Sequence, residues 1–124
     1  MGHPRHELGI AAERAVAAWL EESGWRLLGR RVRAPGGGEV DIVALDPDDV
    51  LVGIEVRARR TARAGIGTES IDARRAARAG RTLAAFAAGA RVGHRGLRID
   101  LVSVMPEAGT EARWRLRRIP NIGS

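Results

Sequence analysis

Two acids set inside an apolar hairpin constrain this chain more than any other feature. Residues 38–57 read Gly38-Glu39-Val40-Asp41-Ile42-Val43-Ala44-Leu45-Asp46-Pro47-Asp48-Asp49-Val50-Leu51-Val52-Gly53-Ile54-Glu55-Val56-Arg57. Val, Ile and Leu dominate both halves, and Pro47-Asp48-Asp49 marks a tight turn between them. If Asp46 faces Val50 across that turn, Asp41 faces Glu55 on the same side of the sheet. Directly opposed Cβ atoms lie roughly 4.5–5.5 Å apart, and like charges there repel. A raised pKa, a basic neighbour or a bound cation must offset the repulsion. Alternation along the strand puts Arg57 on the face of Glu55. The stretch therefore predicts two carboxylates and a guanidinium in one cluster.

At 124 residues the chain is expected to form one domain, residues 1–124, with 1–7 as a disordered tail. Aromatic content is 3%, so aliphatic side chains must fill the core. No cysteine is present, which excludes disulfides and thiolate metal sites. No apolar run follows Met1 or reaches spanning length, so a cytoplasmic protein without a membrane partner is expected. The net charge is +6, and all 21 basic residues are arginines. GC-rich coding explains the choice of Arg over Lys, but not the excess of base over acid. That excess points to a polyanionic partner, most often nucleic acid.

Leu8 to Ser23 has helical spacing, with Leu8, Ala12, Ala15, Val16, Trp19 and Leu20 on one side and Gly24 as a stop. Glu13 falls at the edge of that apolar arc; it either reaches water or aims from the helix toward the sheet. Trp25 to Val32 predicts a strand, near a sheet edge because of its arginines. Residues 34–38, Ala-Pro-Gly-Gly-Gly, are either a plain connector or a place where a ligand approaches the backbone. Residues 57–68 form a basic, Gly-containing loop. Glu69-Ser70-Ile71 opens a second helix that runs to about Gly89. Ala76, Ala79, Leu83, Phe86 and Ala87 form its packing face, and Arg74, Arg75, Arg78 and Arg81 a positive stripe suited to backbone phosphates. Leu97–Val104 and Ala112–Ile119 predict two antiparallel strands joined through residues 106–110, with Asp100 as a structural hydrogen-bonding or ion-pairing residue. His3, His6 and His94 have no metal-set spacing. The order α-β-β-β-α-β-β indicates a mixed sheet flanked by helices.

Gly38-Glu39-Val40-Asp41 followed by Ile54-Glu55-Val56-Arg57 resembles the PD-(D/E)xK nuclease signature. With Glu13 on the first helix, Gly67 after the hairpin, the helix around Arg75 and Arg98-Ile99-Asp100-Leu101-Val102, residues 8–122 resemble the YraN-like family of small bacterial proteins. That family is uncharacterised and similar to Holliday-junction resolvases. The resemblance implies a restriction-endonuclease-like α/β fold, with about five strands flanked by helices. It places Glu13, Asp41 and Glu55 at the acidic positions and Arg57 where the nucleases carry Lys. It implies Mg²⁺ or Mn²⁺ held by Asp41, Glu55 and the Val56 carbonyl, since hard cations take oxygen ligands. Glu13 would assist, and Arg57 would stabilise charge at the reacting phosphate. Arg57 departs from the pattern, because Arg is bulkier than Lys and does not readily give up its proton.

Three functions fit. One is a metal-dependent endonuclease on DNA, branched DNA included, working as a homodimer where two strands must be cut. The second is a nucleic-acid-binding protein that has lost catalysis. The third is a scaffold in which the acids are packing.

Overall fold

The hairpin forms as its turn chemistry dictates. The computed structural model describes residues 4–35, 38–59, 73–107 and 113–122. Asp46 Oδ1 accepts the amides of Asp48 at 2.8 Å and Val50 at 3.0 Å. Its own amide donates to Val50 O, and Asp49 sits at φ 64° with its amide on Asp46 O. An Asp side chain that caps its own turn in this way fixes the register locally. The strands β2 (Glu39–Leu45) and β3 (Leu51–Ala58) accordingly pair Leu45 with Leu51 and Ile42 with Ile54. This is the register expected from Asp46 facing Val50.

Around this hairpin the chain builds a five-stranded sheet in the order β1-β2-β3-β4-β5. The outer strands are β1 (Arg26–Arg33) and β5 (Trp114–Ile119), and β4 is Leu97–Pro106. All neighbours are antiparallel except β3 and β4, which are parallel. Parallel strands need a crossover, and α2 (Ala73–Ala90) lies on the chain between them. The helix α1 (Pro4–Glu22) precedes the sheet. This is the restriction-endonuclease-like α/β architecture.

Several boundaries differ from expectation. Helix α1 starts at Pro4, inside the expected tail, because Pro is well placed in a first turn where its missing N–H costs nothing. Strand β1 starts one residue late because Trp25 completes the helix stop. Gly24 takes φ 89°, with its amide on Glu21 O and the Trp25 amide on Leu20 O, a Schellman closure. Strand β4 continues to Pro106 because β5 pairs with it to the end, Pro106 opposite Trp114. Gly36, Gly37, most of the basic loop including Gly67, the helix opening at 69–71, residues 108–110 and Ala112 lie outside the described residues.

The sheet is buried on both faces. On one, Ala12, Val16, Ala17 and Leu20 of α1 pack against Ile42, Ala44, Val52, Ile54, Val102 and Val104. On the other, Ala79 and Leu83 of α2 pack against Val40, Val43, Leu45, Leu51 and Ile99. Each fully buried Leu, Ile or Val contributes roughly 1.5–3 kcal/mol. Gly53 permits the second contact: a Cβ there would stand 2.9 Å from Ile99 Cδ1 and 3.6 Å from Leu83 Cδ1. Among the described residues no helix is long and apolar enough to cross a membrane.

Candidate acidic site and its basic surround

Asp41 and Glu55 meet where β2 and β3 separate. Their recorded pairing stops at Ile42 and Ile54, and beyond it a side chain replaces the backbone ladder. Asp41 Oδ2 accepts the Val56 amide at 2.8 Å. The amide and carbonyl of one residue lie on the same side of an extended strand, so the Val56 carbonyl also faces Asp41.

Glu55 is 3% exposed and its carboxyl is pushed up to about 7. Burial is the main cause, followed by the charge of Asp41, with Arg75 opposing both. A hydrogen bond between the two carboxyl groups also contributes, so one proton is shared most readily at this pair. Asp41 is raised as well, by burial first; the Val56 amide pulls against this and Glu13 adds to it. The expected like-charge contact therefore exists, and part of its relief comes from protonation.

The rest of the relief comes from arginine. Arg75 Nη2 lies 3.6 Å from Glu55 Oε2. Gly38, Glu39, Asp41, Glu55, Arg75, Arg78 and Ala79 line a pocket of about 280 Å³. Of the four stripe arginines, Arg75 reaches Glu55 and Arg78 lines the same pocket. Arg74 and Arg81 are exposed elsewhere on α2. Arg57 joins the Glu55 face: burial lowers its pKa first, Arg59 and Arg75 lower it further, and Glu55 opposes them.

Glu13 is aimed from α1 toward the sheet and does not reach out to water. It is 9% exposed, and its Oε1 is buried without a hydrogen-bond partner. Its Oε2 lies 3.5 Å from Arg31 Nη2. Arg31 holds φ 51°, a left-handed conformation unusual inside a strand. Neither Arg31 nor the direct Arg75–Glu55 pair was predictable from spacing alone. Thr82 was also missed; it is fully buried and donates to Gly38 O at 3.3 Å, tying α2 to the loop that enters β2.

Among the described residues no three His, Cys, Asp or Glu side chains converge on one point as a metal-binding group. Of the candidate donors, Asp41 and Glu55 line the pocket, the Val56 backbone reaches Asp41 through its amide, and Glu13 is close enough to raise Asp41. That set fits Mg²⁺ or Mn²⁺, which take one or two carboxylates and complete their shell with water and phosphate oxygens. Asp100 meets expectation as a structural residue. It is fully buried, accepts Arg98 Nε at 2.8 Å, Arg118 Nη1 at 2.9 Å and the Asn121 amide at 2.9 Å, and binds the end of the chain to β4.

A model of the uncharacterised protein family UPF0102 matches residues 12–104, which carry the whole acidic site. A UPF0102 protein of Moorella thermoacetica is 43% identical over 101 residues, covering 81% of this chain and 82% of that one. One from Symbiobacterium thermophilum is 38% identical over 116 residues, covering 92% and 93%.

Proposed function

The chain belongs to the uncharacterised protein family UPF0102, and we propose that it is a divalent-metal-dependent endonuclease acting on DNA, including branched DNA. The observation that carries this reading is the buried Asp41–Glu55 pair, opening into a pocket walled by Arg75 and Arg78. A buried pair of acids serves no packing need, since apolar residues would satisfy the site at lower cost. It does suit a ligand that is itself cationic.

In this reading Asp41, Glu55 and the Val56 carbonyl would hold Mg²⁺ or Mn²⁺. When bound, the ion would supply Lewis acidity to a phosphodiester and lower the pKa of a nearby water. Arg75 and Arg78 bind the scissile phosphate's neighbours, and Arg74 and Arg81 extend that contact along α2. Arg57 offers its guanidinium to charge developing on the phosphate. Glu13, beside Arg31, would accept a proton from water near Asp41. Cutting both strands of a junction takes two such sites, hence two copies of the chain.

The test is calorimetric titration of Mn²⁺, with Asp41→Asn as control, followed by cleavage assays on duplex and four-way-junction DNA. Binding lost in Asp41→Asn and cleavage lost in Glu55→Gln support the reading. Two observations favour a second function, a DNA-binding protein without catalysis: Arg75 already supplies positive charge to Glu55, and Arg57 replaces the usual Lys. DNA binding without Mn²⁺ binding or cleavage would select it.

A further inference from the structure

The α2 arginines are not the end of the positive surface on this side of the sheet. Side-chain alternation and register place a second group there. Gly53 faces Leu83 of α2, so Glu55 and Arg57 share that face of β3. Val56 and Ala58 pack into the α1 side, which confirms the alternation. On β5, Trp114 and Leu116 also pack on the α1 side, leaving Arg115 and Arg117 on the α2 side. Both of these arginines are exposed.

The strand register then lines these residues up. Arg57 stands beside Ser103 of β4, and Ser103 stands opposite Arg117 of β5. One step further along, Arg59 continues the ladder with its amide on Val104 O, and Met105 stands opposite Arg115. Glu55 lies one step behind Arg57 on the same face. Two strand spacings separate Arg57 from Arg117, about 10 Å between Cα atoms. Successive phosphates of one DNA strand lie farther apart than their axial rise of about 3.4 Å, because the strand also winds round the axis, so this distance joins about two of them. Strand β5 itself contains no acid.

We propose that Arg115 and Arg117 of the edge strand β5 form, with Arg57, a phosphate-binding track that carries a DNA strand across the sheet from the Asp41–Glu55 pocket. This rests on the DNA reading above and extends it: the DNA contacts α2 on one side of the acids and β5 on the other. Because the track touches phosphates only, it contributes affinity without sequence preference. Its position predicts that the bound strand crosses β3, β4 and β5 near their shared end, away from the hairpin turn.

The experiment measures binding of a fluorescein-labelled duplex of about 20 base pairs by anisotropy over a salt series. Arg115→Gln/Arg117→Gln is compared with Arg91→Gln/Arg95→Gln, which removes equal charge from exposed positions near the turn end. Each lost phosphate contact lowers the slope of log K against log salt by about 1. The track predicts a slope reduced by about 2 in the β5 variant and unchanged in the control. Arg115→Lys/Arg117→Lys should restore the slope, and thermal melting confirms that each variant folds. Equal losses in the β5 variant and the control overturn the track, leaving the β5 arginines as guards against edge-to-edge pairing. A wild-type slope reduced by Arg75→Gln/Arg78→Gln but not by the β5 variant overturns the track alone. Absence of any wild-type DNA binding overturns the DNA reading itself.

Discussion

Replacing Glu55 by Gln should stabilise the protein, and by more as the pH rises. Glu55 has an ordinary value of 4.5 that the fold raises to about 7. The folded state therefore holds this proton more tightly than the unfolded chain. The stability linked to it is fully present below 4.5 and is lost as the pH rises through 7. Asp41 is shifted in the same direction and adds to the same slope. At 1.36 kcal/mol per pH unit, ionising Glu55 in the folded protein costs about 3 kcal/mol at most. The Arg75 partner is half exposed, and its opposing pull is already contained in that shift. Gln imitates the protonated acid in size and in its capacity to donate to Asp41. The variant should lie within about 1 kcal/mol of wild type near pH 5 and exceed it by about 3 kcal/mol at pH 8. Urea unfolding at both pH values, without divalent metal, measures the difference. Curves for the two proteins that run parallel from pH 5 to pH 8 would refute the assignment of strain to this pair.

Other perturbations separate structural from functional roles. Mn²⁺ at pH 8 should raise the melting temperature of wild type but not of Asp41→Asn, because binding to the folded state alone stabilises it; scanning calorimetry decides. Gly53→Ala should cost roughly 1–3 kcal/mol, since its Cβ meets Ile99 and Val40 within 3.2 Å; chemical denaturation reads the loss. Asp100→Ala should cost about 3–5 kcal/mol by leaving Arg98 and Arg118 without their buried acceptor. Thermal melting would contradict this if the midpoint stayed within a degree or so of wild type, because even about 1 kcal/mol moves it by several degrees.

The parts of the fold legible in the sequence depend on short-range chemistry. Apolar spacing marked α1 and α2, and Gly24 marked the end of α1, because a left-handed C-terminal residue is cheapest as Gly. What was missed arises from contacts between distant segments or from conformations that spacing does not encode. Arg31 looked like one more edge-strand arginine, yet its φ of 51° and its contact with Glu13 exist only once α1 lies over the sheet. Arg75 looked like a phosphate ligand on a solvated stripe. Only docking of α2 through Leu83 and Gly53 brings it to Glu55.

The sequence by itself determined the register that brings Asp41 and Glu55 together, because the turn that sets it lies a few residues away and Asp46 holds it through its own side chain. It also determined the excess of arginine, which no folding alters. Only the tertiary structure decided which arginines meet the acids and which do not. The parallel pairing of β3 with β4 requires a crossover, and the crossover helix carries Arg75 and Arg78 over the acids. β5, joined to the far side of β4, carries Arg115 and Arg117 beyond them. A local turn can fix a register between neighbouring strands. The placement of a charge arriving from another element depends on how the whole sheet buries its two faces.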